Sequence, residues 1–186
     1  LTEALIGVGI AMAYAGNSRP ASGSEHHLSH FFEITGIINN RPYFMHGTDV
    51  AFSTVYTCRM REEILAVDIP EQTEKFDRAD WEKKIRSVYG IAADGVIGLQ
   101  DKAGVYNENK IAVYKEKWHE IKEILQDCPS AEEIVSYLGS VGLDISEFEK
   151  MYGKQKLENA KWFAKDLKDR YTVLWLYYSL FYHTKV

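Results

Sequence analysis

The chain of 186 residues is long enough for one sizeable hydrophobic core, and with 46% hydrophobic and 26% charged residues it has the composition of an ordinary globular domain. Its net charge of −5, without a basic cluster interleaved with aromatic residues, argues against a general nucleic-acid-binding surface. The two cysteines fit neither a disulfide framework nor a zinc site, and no segment resembles a secretion signal, so we expect a protein of the reducing cytoplasm.

The first 15 residues form the first predicted helix, which is too short and too interrupted to span a membrane. Gly7 and Gly9 do not complete a nucleotide-binding motif, because Met12 stands where a dinucleotide-binding fingerprint has its third glycine and no strand precedes it. We therefore expect a buried helix whose glycines allow close packing against another helix. Arg19, beside the next helix start, is predicted to be a surface residue, with a phosphate contact as the alternative.

Four of the six histidines lie in two short pieces of sequence, at positions 26, 27, 30 and 46. The first piece starts with the pattern of a capping box, in which Ser22 accepts from a backbone N–H and Glu25 reaches back to the cap. A helix that begins there places His26 in its first turn and His30 one turn later on the same face. The helix dipole disfavours protonation in the first turn, so His26 can offer a lone pair to a metal.

The predicted helix around these histidines has two different faces. His26 and His30 share one face with Glu33 and Ile37, by the helical repeat of about 100° per residue. The opposite face is largely apolar and consists of Leu28, Phe31, Phe32, Thr35 and Ile38. His26 and His30 therefore point away from the core, into a cleft or into solvent.

His46 is the third histidine of interest, because it precedes Gly47, which lets backbone approach closely, and lies just before another predicted helix. His27 points to the side of its helix and is the weakest candidate for a ligand. From spacing alone, a metal site and a solvated histidine-rich helix start without a ligand remain equal alternatives.

The rest of the chain reads as further helices separated by turns. The predicted spans are 48–66, 73–90 with a cap at Asp77, a short helix within 92–104, 109–126, 130–138 with a capping box at Ser130, a helix from Asp144 to Gly153, 157–168 and 171–182. No stretch has the alternating pattern of strands and no repeat is visible, so the sequence predicts an all-α domain.

Two details of these later helices bear on function. The aromatic stripe of the last helix, which consists of Trp175, Tyr178, Leu180 and Tyr182, is more typical of a core or a dimer contact than of a cofactor site. His119 is predicted to be a surface residue, and His183 carries no functional signal.

Residues 18–31, SRPASGSEHHLSHF, resemble the signature of the sn-glycerol-1-phosphate dehydrogenases, which belong to the dehydroquinate synthase-like, iron-containing alcohol dehydrogenase superfamily. The wider superfamily pattern is His-x-x-x-His followed later by His-Gly, which His26, His30, His46 and Gly47 match. The resemblance implies that His26 and His46 bind the catalytic divalent metal (zinc, nickel or iron) and that His30 contacts the substrate. A weaker similarity to the family lies at residues 170–174, RYTVL.

The same resemblance implies that residues 1–186 are one domain, the multi-helix C-terminal domain of the dehydroquinate synthase-like fold. In that family the third metal ligand, an aspartate, and the glycine-rich turn that holds NAD(P) come from a preceding nucleotide-binding domain. No residue of this sequence matches either feature, so no catalytic or cofactor-binding residue is assigned. We expect the metal-bearing half of an enzyme that reduces dihydroxyacetone phosphate to sn-glycerol 1-phosphate with NAD(P)H.

The expected partners are the chain's own N-terminal nucleotide-binding domain, a small phosphorylated substrate and a second copy in a homodimer; neither nucleic acid nor a membrane is expected. One alternative is a related enzyme on the same scaffold, such as a glycerol dehydrogenase or a dehydroquinate synthase, although the segment from Arg19 to Gly23 favours the first assignment. The other alternative is a non-catalytic helical interaction module whose histidines are inert.

Overall fold

The computed structural model describes residues 2–71 and 76–185, and in these ranges every regular element is a helix. The α-helices are α1 Thr2–Ala15, α2 Ser24–Ile38, α3 His46–Leu65, α4 Arg78–Tyr89, α5 Ala93–Ala103, α6 Ile111–Gln126, α7 Ala131–Ser140, α8 Ile145–Phe163 and α9 Val173–Lys185. Short 3-10 turns lie at Arg19–Ala21, Gly90–Ala92, Val105–Asn107 and Ala164–Leu167. The all-α prediction is confirmed. None of the described helices combines the length and the apolar character that crossing a bilayer requires.

Helices α2 and α3 form the centre of the fold, and α2 also packs against α8 and the 3-10 turn Ala164–Leu167. The apolar face of α2 is buried as predicted, with Phe31 and Phe32 1% and 2% exposed. Phe32 stacks on Tyr152 of α8, with 4.1 Å between the ring centroids. At Gly36 a Cβ atom would lie 2.7 Å from the Tyr43 ring, so only glycine lets the turn after α2 fold back onto it.

Helix α1 differs from its prediction. None of its described residues is buried, and Leu5, Ile6 and Ile10 are more than half exposed. A Cβ atom at Gly7 or Gly9 would meet nothing within 4 Å, so the expected close packing around these glycines is wrong among the described residues. The apolar composition of the helix predicts burial, but no other element of the described chain covers it. Leu1, where the predicted helix began, lies outside the described residues.

The caps predicted for the later helices are confirmed. Asp77 accepts hydrogen bonds from the N–H groups of Ala79 and Asp80, at 2.9 and 3.0 Å, and so fixes the start of α4. Ser130 and Glu133 form the complete capping box of α7. Asp144 caps α8 through the Ser146 N–H. Residues 73–75, where the α4 prediction began, lie outside the described residues.

Gly153 interrupts its helix as predicted, because its backbone is not helical and has a φ of +69°. A second helical segment follows directly, so that α8 continues beyond this kink to Phe163. The expected helix over 157–168 is therefore the second half of α8 followed by the turn Ala164–Leu167. The aromatic stripe of α9 belongs to the core, with Trp175 4% and Tyr178 9% exposed.

Candidate metal and substrate site

The start of α2 carries the site, and it is built differently from the predicted capping box. The N-cap is Gly23, and Ser22, one residue earlier, makes no cap hydrogen bond to α2. Glu25 does reach back, as predicted, because its Oε1 accepts the Gly23 N–H at 2.9 Å. A Cβ atom at Gly23 would lie 2.6 Å from the Glu25 carboxylate, so glycine makes room for this contact. The Ser22 hydroxyl instead accepts a hydrogen bond from Lys168 at 3.0 Å.

Three of the four histidines come together where α2 and α3 begin. The ring centroids of His26 and His46 are 5.4 Å apart, and those of His30 and His46 are 5.0 Å apart. All three side chains are partly exposed, at 25%, 37% and 44% for positions 26, 30 and 46. The apolar face of α2 is turned the other way, so these rings lie at the partly exposed surface rather than in the core; this surface is called the histidine cleft below.

A carboxylate contacts the Nδ1 atom of each of these rings. Glu25 lies 2.8 Å from His26 Nδ1. Glu33 lies 2.9 Å from both His30 Nδ1 and His46 Nδ1, through its two different oxygens. With a proton on each Nδ1, the ring donates to the carboxylate and leaves the Nε2 lone pair for a ligand, which is the usual arrangement around histidine-bound metals.

The donor set fits a divalent transition metal. Among the described residues, a group formed by His30, Glu33 and His46 offers one ligand atom from each side chain, all within 4.8 Å of one another. The predicted ligand His26 is not part of this group, although its ring centroid lies 5.4 Å from that of His46. Imidazole and carboxylate donors suit zinc, nickel and ferrous iron alike. The assignment of His26 and His46 as ligands and of His30 as a substrate contact stays a prediction.

Glu33 is a site residue that the sequence did not single out as a ligand or partner. Its place on the stripe of His26 and His30, three residues after His30, was the available signal, because side chains three apart on a helix are neighbours. The bond to His46 joins α2 to α3 and could not be read from local spacing. Gly47, expected to allow a close backbone approach, has nothing within 4 Å of an added Cβ atom.

His27 has a structural role. It is fully buried, and its Nδ1 lies 2.9 Å from the Gly23 carbonyl oxygen, to which it donates. Burial lowers the pKa of His27 to about 4, so the ring is neutral at ordinary pH. The prediction that His27 is the weakest ligand candidate agrees with this position.

A buried acid lies behind His46. Asp49, in the first turn of α3, is 0% exposed and accepts the Tyr152 hydroxyl at 2.6 Å, while that hydroxyl accepts the Phe44 N–H at 3.1 Å. Burial raises the pKa of Asp49 to about 7. No sequence motif includes Asp49, and the sequence indicates a place near the site only through its position one turn after His46.

Arg19 lies at the surface as expected, with 58% of its side chain exposed, and its guanidinium is 3.5 Å from Asp169.

Comparison with known proteins identifies several relatives. No family profile and no solved structure matches the chain. A protein named glycerol-1-phosphate dehydrogenase [NAD(P)+] from Geobacillus stearothermophilus is 26% identical over 186 aligned positions, which cover 98% of this chain and 39% of that protein. Proteins of the same name from Bacillus licheniformis and Thermoplasma acidophilum are each 36% identical, over 51% and 52% of this chain and 22% and 25% of their own length.

The chain thus spans less than two fifths of the length of these relatives. The resemblance predicted from the histidine motifs is confirmed.

Proposed function

We propose that this chain, which resembles the glycerol-1-phosphate dehydrogenases, is the metal- and substrate-binding helical half of an NAD(P)-dependent enzyme that reduces dihydroxyacetone phosphate to sn-glycerol 1-phosphate. The observation that carries the proposal is the meeting of His26, His30 and His46 in one cleft, each with a carboxylate on Nδ1. The relatives carry the name of this activity, and the helical cleft supplies side chains suited to it.

Each side chain has a definite task in this proposal. His26 and His46 hold the divalent metal through Nε2, and Glu25 and Glu33 fix the orientation of the two rings. When bound, the metal supplies a Lewis acid for the C2 oxygen of the substrate, and NAD(P)H supplies the hydride. His30 donates a hydrogen bond to a substrate oxygen, which helps to align the carbon that is reduced.

The proposed partner is the enzyme's own N-terminal nucleotide-binding domain, which would also supply an aspartate as third metal ligand. Two observations support this partner: the apolar helix α1 has no cover among the described residues, and the curated relatives are far longer than the matched region. A homodimer and a cytoplasmic location stay predictions.

The 186-residue chain by itself should show no dehydrogenase activity with dihydroxyacetone phosphate and either NADH or NADPH. No dinucleotide fingerprint is present in the sequence, so the hydride donor has no site. The assay follows nicotinamide absorbance with the purified, metal-loaded chain. Turnover above the rate without protein would contradict the proposed division of the active site.

The chain should nevertheless bind zinc or nickel, weakly, because two histidine ligands without the third protein ligand leave the coordination sphere open. In calorimetric titrations, we expect the double variant His26→Ala/His46→Ala to bind at least tenfold more weakly than the wild type. Glu33→Gln should weaken binding by about 10- to 100-fold, the usual cost of removing the partner of a metal-bound histidine.

The surface variant His119→Ala is the matched control for these titrations, since its ring is 86% exposed on α6. Unchanged binding in the double variant would refute the ligand assignment. Binding by the wild type that never saturates would favour the alternative, a helical interaction module with inert histidines.

A further inference from the structure

Two cationic side chains lie beside the histidine cleft, on the segment that joins the turn Ala164–Leu167 to α9. Lys168 donates to the Ser22 hydroxyl at 3.0 Å, a contact between residues 146 positions apart. Arg170 follows two residues later on the same short segment. The segment therefore brings positive charge to the entrance of α2.

These charges have no acidic partner of their own in the described chain. Neither Lys168 nor Arg170 forms an ion pair there, and Arg170 Nη1 is buried without a hydrogen-bond acceptor. Two residues on, the Thr172 hydroxyl is also buried without a partner among the described groups. Buried donors without acceptors cost free energy, which a bound acceptor would recover.

The nearby carboxylates are already engaged elsewhere. Glu25 accepts from His26 and from the Gly23 N–H, and Glu33 bridges two histidines. Asp169, which lies between the two cations in sequence, pairs with Arg19. Burial and repulsion from Arg170 lower the pKa of Lys168, although Glu25 and Glu33 oppose this shift from a distance.

We infer that Lys168 and Arg170, with the Ser22 hydroxyl, bind the phosphate group of the substrate, a phosphate monoester dianion. The inference rests on the proposed function and adds the residues that recognise the charged end of the substrate. A guanidinium binds phosphate through two parallel hydrogen bonds and an ammonium adds a point charge, so the pair suits a dianion. Arg19, the sequence-based candidate for a phosphate contact, is neutralised by Asp169 and faces solvent.

Holding the phosphate here gives the substrate a fixed direction. The phosphate lies by Ser22 at the start of α2, and the reacting carbon extends towards the rings of His26 and His30 further along the same helix. Such two-point binding restricts the orientation of a small substrate relative to the reacting groups.

The test is a titration of the 186-residue chain with inorganic phosphate at low ionic strength, by calorimetry, without metal or nicotinamide. The variant Lys168→Gln/Arg170→Gln is compared with Lys83→Gln/Lys115→Gln, which removes the same charge from exposed positions on α4 and α6. We expect at least tenfold weaker phosphate binding in the first variant and a change below twofold in the control. Equal weakening in both variants, or no saturable binding by the wild type, would overturn the inference.

Two further measurements separate this inference from the proposed function and from misfolding. Zinc titration of Lys168→Gln/Arg170→Gln should match the wild type, because the metal ligands are untouched; normal zinc binding with normal phosphate binding refutes the phosphate site alone. If the double variant unfolds in circular dichroism, Arg170→Lys is used, which keeps the charge and loses the paired hydrogen bonds. We expect it to weaken phosphate binding at least threefold, and an unchanged affinity would overturn the assignment of Arg170.

Discussion

His30→Ala in the full-length enzyme should retain the bound metal while kcat/KM for dihydroxyacetone phosphate falls by about 10² to 10⁴, the range expected if the residue also assists proton transfer. His30 lies one turn after His26 on α2, and its ring centroid is 5.0 Å from that of His46, so it faces the same cleft. Its Nδ1 is held by Glu33, which leaves Nε2 for a substrate oxygen. Metal content and kcat/KM are measured on the same preparation.

His26→Ala is the informative contrast, because it should lose metal and activity together. His119→Ala, on the surface of α6, should change neither and controls for the loss of an imidazole. If the His30 variant loses as much metal as the His26 variant, His30 is a ligand and the assignment of roles must be exchanged. The ligand atoms of His30, Glu33 and His46 lie within 4.8 Å of one another, close enough for these three side chains to bind one metal ion.

Lys165→Met should lower the free energy of unfolding by about 3–5 kcal/mol, the usual cost of leaving one charge of a buried ion pair alone. Lys165 and Asp166 have fully buried side chains, with the ammonium 2.8 Å from Asp166 Oδ2. The same ammonium donates to the Tyr106 hydroxyl and the Trp162 carbonyl, both at 2.8 Å, and lies 3.9 Å from the centre of the Tyr178 ring. Chemical denaturation followed by circular dichroism measures the change.

The double variant Lys165→Met/Asp166→Leu should recover most of that stability, because replacing both partners of a buried pair leaves no isolated charge. Lys154→Met, at an exposed position of α8, should change stability by less than about 0.5 kcal/mol and serves as control. A loss below about 1 kcal/mol for Lys165→Met, or no recovery in the double variant, would contradict the explanation that the loss comes from an isolated buried charge.

The features predicted correctly from the sequence depend on short-range rules. Asp77, Ser130 and Asp144 cap their helices because a side-chain oxygen needs only the amides two or three residues ahead. The two faces of α2 follow from helical periodicity in the same way, so the shared face of His26 and His30 could be derived before any packing was known.

The predictions that were wrong concern features that depend on groups far away in sequence or on competing local hydrogen-bond partners. Apolar residues predicted burial of α1, but burial needs a covering surface, which the described residues do not provide. Ser22 is not the N-cap of α2, because Gly23 occupies that position and its N–H donates to the Glu25 carboxylate. The Ser22 hydroxyl accepts a hydrogen bond from Lys168 instead. The phosphate site proposed on Lys168 and Arg170 could not be predicted from the sequence, because these residues are far from α2 in the chain and no periodic pattern relates them to it.

Glu33 joins the two halves of the site through one carboxylate. One of its oxygens holds His30 and the other holds His46, so a change in charge or position at either ring alters the acceptor available to the other. If His46 binds the metal and His30 the substrate, as proposed, the two binding events should be thermodynamically linked, and linkage requires the effect to be reciprocal. If the ion raises the affinity for substrate, the substrate raises the affinity for the ion by the same factor. The proposed enzyme would then hold its metal most tightly with substrate bound and release it most easily between turnovers.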